Sequence, residues 1–224
     1  MFGLLALSSV ALGSVQALAS DDAAKDKAEA VKVVNGSVTV LKDFSADPNM
    51  TWYRDNITKA KAVLIIPTLV KAGFIFGGSG GTGVVLARDE ATNTWKGPSF
   101  ATAASVSWGF QAGGSAAQVV MMAMTDKGKD ALLSNKFQAG ADASVAAGPV
   151  GAGAQAATVD ILQFTRTKGL FGGLSLEGSV IAVRDSLNHA YFGKPVTPVD
   201  ILVKGDVRNP QADVLIKQLT AGAK

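Results

Sequence analysis

The chain contains no cysteine and a single histidine, His189. Without cysteine there is neither a disulfide framework nor a thiol to carry an acyl anchor. With one histidine, a metal site would have to be built from carboxylates, and the short acidic pairs Asp21-Asp22 and Asp89-Glu90 lack the spacing of a calcium loop. A hydrolytic triad would have to use His189, within Leu187-Asn188-His189-Ala190-Tyr191-Phe192-Gly193, and no Gly-x-Ser-x-Gly elbow accompanies it. It reads as a surface or hydrogen-bonded histidine rather than a general base. No enzyme, metal or cofactor is expected.

Charge is scarce as well. Charged residues make up 17% of the 224, and the formal net charge is +3. That is too weak and too dispersed for a nucleic-acid footprint, which clusters basic residues on one face. A basic balance of this size still permits contact with anionic lipid.

Met1 to Ala19 carries no charged residue and ends Ala17-Leu18-Ala19. This is the small-x-small pattern of a signal-peptidase site, so residues 1–19 are expected to be removed and Ser20 to begin an exported protein. The basic stretch that opens such peptides is missing, which a start codon upstream of Met1 would explain. The structural alternative is a retained anchor, since the run is barely long enough to cross a bilayer. Residues 20–224 are expected to form one domain.

From Asp21 to about Lys59 the pattern is helical. Val31, Val34, Val38, Leu41 and Phe44 recur at spacings of three and four. Asn35-Gly36 between valines competes as a hairpin turn, but the stripe continues across it, which favours the helix. Asp47-Pro48 reads as a cap and first-turn proline opening a second helix through Trp52, Tyr53 and Ile57. After Ala60 the character changes: 22 of the 25 glycines lie at Gly73 or later, among short apolar runs. Strands are expected at Ala62 to Ile66, Gly73 to Phe76, Thr82 to Ala87, Ala101 to Gln111, Ala117 to Met124, Phe137 to Ala147, Ala156 to Thr165 and Leu174 to Val183. A short helix is expected from Asp126 to Asn135. Asn209-Pro210 opens a terminal helix whose inward face is Val214, Leu215 and Leu219. The linkers are too short for repeated helical crossovers. The fold expected is therefore α+β: N-terminal helices packed on a glycine-rich, mostly antiparallel curved sheet or partial barrel, with a C-terminal helix.

Gly78, Gly80 and Gly83 satisfy the spacing of a dinucleotide loop, yet Val84-Val85-Leu86 follows where a helix should start, so the glycines read as strand and turn residues. In order along the chain stand Ala60-Lys61-Ala62-Val63, Pro67, Lys71-Ala72-Gly73-Phe74, Gly77-Gly78, Trp95, Pro98-Ser99-Phe100 and Gly109-Phe110-Gln111-Ala112-Gly113. Ala139-Gly140-Ala141-Asp142-Ala143-Ser144 and Gly148-Pro149 follow. The series ends with the run from Arg166 through Lys168-Gly169-Leu170-Phe171 to Glu177-Gly178. With these residues the chain closely resembles the SYLF domain, the Ysc84-like family of lipid-binding and actin-regulating proteins. The resemblance implies a non-enzymatic domain that binds lipid, and with the export segment it implies a bacterial periplasmic or cell-envelope member associated peripherally with membrane. A protein-interaction or scaffold module with an envelope partner is the alternative. Actin contact in that family depends on a lysine-rich N-terminal segment that Lys25, Lys27 and Lys32 match only loosely.

Lys71, Arg166 and Lys168 stand beside glycine turns, where backbone amides add to a cation in holding a phosphate, so they are the candidate contacts to anionic phospholipid. The plainer reading is solvated cations. Phe171, between Gly169-Leu170 and Gly172-Gly173, is the candidate apolar anchor. Gly73, Gly77, Gly78, Gly83, Gly169 and Gly178 read as structural, supplying turns, bulges and close backbone contact. Asp142 and Glu177 sit among small and apolar residues and are expected to be partly buried, bonded to backbone amides or paired with Arg166, Lys168 or Lys71, with a role in ligand binding as the alternative.

Overall fold

A computed structural model describes residues 9–221 apart from 74–75, 109–112, 152–154, 168–169 and 172–174. Helix α1 (Ser9–Ala46) runs unbroken through Asn35-Gly36, as its apolar periodicity requires, and the expected cleavage point after Ala19 falls inside it. The buried stripe is Ala30, Val33, Val34, Ser37, Val40, Leu41 and Phe44, which includes the expected Val34, Leu41 and Phe44, with Val31 and Val38 on its half-buried flank. Ser37 lies within the stripe because its hydroxyl donates to the Val33 carbonyl at 2.8 Å. Asp47 caps a 3-10 turn, Pro48–Met50, by accepting from the Asn49 amide, and α2 (Thr51–Asn56) follows.

The sheet has nine strands: β1 (Ala62–Gly73), β2 (Phe76–Asp89), β3 (Thr94–Trp108), β4 (Gly113–Ala123), β5 (Lys136–Gln138), β6 (Val145–Ala147), β7 (Ile161–Thr167), β8 (Leu170–Phe171) and β9 (Val180–Val183). Their order is β5-β9-β3-β2-β1-β4-β7-β6, with β8 paired to β7, and every ladder is antiparallel except β6 with β7. Helix α3 (Asp126–Leu133) follows β4. Helix α4 (Asp185–Phe192) follows β9, then come a π-helical turn (Val199–Lys204) and α5 (Asp213–Ala221).

This sheet is buried on both faces at its base. Val63, Ile65, Val84, Leu86, Phe100, Val120, Met122 and Phe164 face α1, α2, α4 and α5. Leu64, Ile66, Leu69, Val85, Val119 and Met121 face the second layer, which includes Leu132 of α3, Leu176, Ile181, Ile201 and Leu202. Double burial explains why these strands read as continuous apolar runs and not as alternating ones.

A first strand is expected to end at Ile66, with a separate one from Gly73 to Phe76. The strand instead continues to Gly73 and absorbs the proline in a bulge. Four β1 residues, Ile66 to Leu69, stand opposite three of β2, and two, Pro67 and Thr68, opposite one of β4. A bulge is where a proline, which cannot donate to a ladder, is accommodated inside a sheet. The bulge is clamped from both sides. On the α1 side Gly36 lies so close that a Cβ there would stand 2.8 Å from Pro67 Cβ. On the other side a Cβ at Gly81 would stand 2.5 Å from the Thr68 carbonyl oxygen. The Phe137 to Ala147 stretch is likewise not one strand but β5 and β6, separated by a turn in which Gly140 has φ +88°. In α5, Leu215 and Leu219 point inward as expected, whereas Val214 is 57% exposed.

Candidate functional site

Helix α1 crosses the strands at the level of the bulge. Its Glu29 meets Thr82 of β2 at 3.2 Å and Arg184 at 3.5 Å, and its Asp43 meets Gln118 of β4 and Arg166 of β7, both at 3.0 Å. Beyond that line β1 to β4 continue as a four-stranded extension that no helix covers among the described residues. Register gives its rows: Ala104, Gly80, Val70 and Ala116 pair across the sheet, then Val106, Gly78, Ala72 and Gly114. Both rows share the face of Thr82 and Gln118, which is the α1 side. They contain no polar side chain, and Val70 and Val106 are 50% and 81% exposed.

The opposite face of the extension is polar. Ser105, Ser79, Lys71 and Ser115 form one row, with the Ser79 and Ser105 hydroxyls 2.7 Å apart. Two hairpin connections leave this end, β1 to β2 after Gly73 and β3 to β4 after Trp108, while β7 turns into β8 after Thr167, which pairs with Ala117 four residues short of the start of β4. In sequence they carry Phe74-Ile75, Gly109-Phe110-Gln111-Ala112 and Lys168-Gly169, followed by Leu170-Phe171.

Of the described candidates, Lys71 lies in the extension and Arg166 at the level of α1, and the two do not share a face. Lys71 lies in the serine row and has no ion-pair partner among the described residues. Arg166 pairs with Gln118, three residues along β4 from the Ser115 that pairs with Lys71, and an odd separation puts the two cations on opposite faces. Arg166 is bound to Asp43 and approached by Gln118, which makes it first a strap between α1 and β7. Phe171 lies in β8 opposite Arg166, and Lys168 and Gly169 fall outside the described residues. Gly73, Gly77, Gly78 and Gly83 are strand residues of the extension and its base.

Burial of the two acidic candidates is not observed, because both sit on exposed turns. The Asp142 carboxylate accepts from the Gln138 amide at 2.6 Å, so its role is to close the turn before β6. Glu177 adjoins Gly178, whose φ is +80°, and its chain packs over Gly140. His189 is exposed on α4.

Two polar clusters went unnoticed in the sequence. Lys61, at the start of β1, reaches Asp126 of α3 at 2.7 Å and Glu90 of the β2–β3 turn at 3.0 Å, and Lys129 of α3 approaches Glu90 at 3.6 Å. The hydrogen bond to Asp126, then that to Glu90, raises the Lys61 ammonium above its usual range, and both carboxyls are lowered in return. Asp160 accepts from the Ser144 amide and hydroxyl at 3.0 and 2.8 Å and from the Thr125 hydroxyl at 2.8 Å. The amide bond leads in pulling its carboxyl down to about 2. Partners 16 and 35 residues away leave no local signature. Both clusters are fully engaged in holding loops to the sheet. No group of three metal-ligating side chains occurs among the described residues, and no helix there is long and apolar enough to cross a membrane.

Fold and site together describe a helix-clasped, curved antiparallel sheet that ends in an exposed apolar extension. Residues 104–222 match the family model described as Ysc84, Las17-binding protein actin regulator. LAS seventeen-binding protein 3 of Saccharomyces cerevisiae is 32% identical over 207 residues, 87% of this chain and 43% of that protein. Protein YSC84 of the same yeast is 32% identical over 204 residues, 87% of this chain and 42% of its own length. Human SH3 domain-containing YSC84-like protein 1 is 30% identical over 169 residues, 73% of this chain and 49% of its own. The chain belongs to the Ysc84 family. It spans about half the length of these relatives or somewhat less. None of their names is that of an enzyme, and no solved structure matches.

Proposed function

We propose that this protein binds the surface of anionic phospholipid membranes peripherally, without catalysis, through the free end of its sheet. The observation that supports this is the extension beyond α1: an exposed apolar face of Gly, Ala and Val, from whose edge two connections depart that carry Phe74, Ile75 and Phe110 in sequence. Apolar groups at such an edge enter the interface, while Lys71 and Lys168 beside them add attraction to anionic headgroups, and neither contribution suffices alone. The uncharged Met1–Ala19 run supports export and a place in the cell envelope, with Ser20 as the mature N-terminus.

Co-sedimentation of the protein with phosphatidylcholine vesicles, with and without phosphatidylserine, tests this. Binding to the anionic vesicles should fall with salt. Lys71→Glu and Lys168→Glu should each weaken it by about 1 kcal/mol, and Phe171→Ala should weaken neutral and anionic binding alike, since burial of a ring is indifferent to headgroup charge. Val70→Ser with Val106→Ser should reduce binding without moving the unfolding midpoint. A folded Lys71→Glu, Lys168→Glu double variant with wild-type binding and salt dependence refutes the reading. A protein partner is the second reading, favoured by the family description of a Las17-binding actin regulator; recovery of a specific envelope protein together with no vesicle binding of any composition would select it.

A further inference from the structure

The opposite end of the sheet carries a cleft of about 560 Å³, within the range of small-ligand sites. It opens beside the first residues of β3, Thr94 to Gly97, which lie beyond the reach of β9 because that strand pairs only with Ala101 to Ala104. Trp95, Ile201, Val207 and Ile216 contribute its apolar lining. Trp95 and Ile201 are buried, and Val207 and Ile216 are half-buried.

Four cations line the same cleft. Lys96 is fixed by Asp89 at 3.0 Å and by the Val203 carbonyl at 2.7 Å, and Lys204 is bound to Asp200 at 2.8 Å. Arg208 forms an exposed pair with Asp213 at 3.0 Å, and Lys217 has no carboxylate partner among the described residues. Of the three carboxylates that balance them, only Asp213 is part of the lining. The counter-charges of Lys96 and Lys204 lie outside the lining, so a group inside the cleft meets four cations and a single carboxylate, Asp213, which is already paired with Arg208.

We infer that this cleft binds an anionic amphiphile, one apolar chain or ring ending in a single phosphate or carboxylate. The chain lies on the Trp95–Ile216 floor, and the anion is held by Lys217 and by Arg208 turning from Asp213. The site is at the far end of the sheet from the proposed membrane face and does not depend on that face. Its ligand is either a free amphiphile or the headgroup end of a bilayer lipid, two sources with the same chemistry.

Calorimetric titration of the whole chain with decyl phosphate, below the concentration at which it forms micelles, tests the assignment. The expected result is one site that prefers decyl phosphate to decanol by about tenfold or more and takes no decyltrimethylammonium. Arg208→Glu with Lys217→Glu, both exposed, should weaken decyl phosphate by a similar factor, and Val207→Trp should abolish binding by filling the floor. Val70→Ser with Val106→Ser should leave it unchanged. If the Arg208, Lys217 variant also loses affinity for phosphatidylserine vesicles, the source is a bilayer headgroup; if only decyl phosphate is affected, it is a free amphiphile. Absence of binding, equal affinity for decanol, survival of binding in Val207→Trp or its loss in the Val70, Val106 variant would each overturn the inference.

Discussion

Substitution of Gly81 by alanine isolates the packing at the β1 bulge. The new methyl would stand 2.5 Å from the Thr68 carbonyl oxygen, 2.9 Å from Ile66 Cγ2 and 3.0 Å from Leu69 Cα. Two of these are backbone atoms of a segment that cannot retreat, since β4 holds its other edge and Gly36 presses on Pro67 from the α1 side. Overpacking of this kind costs about 1–3 kcal/mol, and contact with fixed backbone points to the upper half of that range. In a chain of this length each kcal/mol lowers the thermal midpoint by about 2–4 °C. Gly80 provides the control. It is the adjacent residue on the opposite face, and its nearest neighbour would be the Ala103 carbonyl oxygen at 3.9 Å. Gly80→Ala should therefore change stability by no more than about 1 kcal/mol, in the stabilising direction through lost unfolded-chain entropy. Urea denaturation of the two variants beside wild type reads the difference directly. Equal midpoints for Gly80→Ala and Gly81→Ala would refute the clamped bulge.

Asn188 of α4 is fully buried and accepts from the Phe100 amide at 2.9 Å, so Asn188→Ala should cost about 1–3 kcal/mol and speed hydrogen exchange at that amide; an unchanged exchange rate would remove Asn188 from the ladder's continuation. Asp160, with its folded carboxyl lowered to about 2 against an ordinary value near 4, contributes stability that is complete above about pH 4 and lost as pH falls through about 2. The urea midpoint of wild type should accordingly exceed that of Asp160→Asn at neutral pH, with the gap closing between pH 4 and 2, and a constant gap across that window contradicts the assignment.

The sequence revealed most where a signal is local. Periodicity carried α1 through Asn35-Gly36 because seven buried positions outweigh one turn-forming dipeptide. Asp47-Pro48 and Asn209-Pro210 announced their caps because the side chain, the amide it accepts from and the proline lie within three residues. What depended on partners far along the chain stayed hidden. The continuation of β1 past Ile66 is one case, since Gly36 and Gly81 make room around the Pro67 bulge. Asp142, among alanines, reads as buried until the turn places it in solvent. Lys71 and Arg166 stand beside similar glycine turns, yet the pairing of β4 with both their strands, at positions an odd number apart, sends them to opposite faces. The base cleft was equally illegible, since it gathers residues 94–97, 201–208 and 213–217, which only the fold brings together.

The size of the free sheet end bears on which partner it fits. Four strands about 4.8 Å apart and two exposed rows about 7 Å apart give a flat apolar patch of about 250 Å². A standard protein interface needs about 800 Å² from each side, so this face alone would hold a protein partner only weakly. A bilayer imposes no such requirement. It accepts a narrow edge, and the two connections at this end carry Phe74, Ile75 and Phe110 in sequence. On the face itself, small residues let four strands run past the core without a buried layer to stabilise them. A partner protein would instead be expected to select for anchors on the face, where only Val70 and Val106 rise above the glycines and alanines. The proposed membrane contact is thus a reading under which so small a face suffices, since a bilayer needs no matching surface.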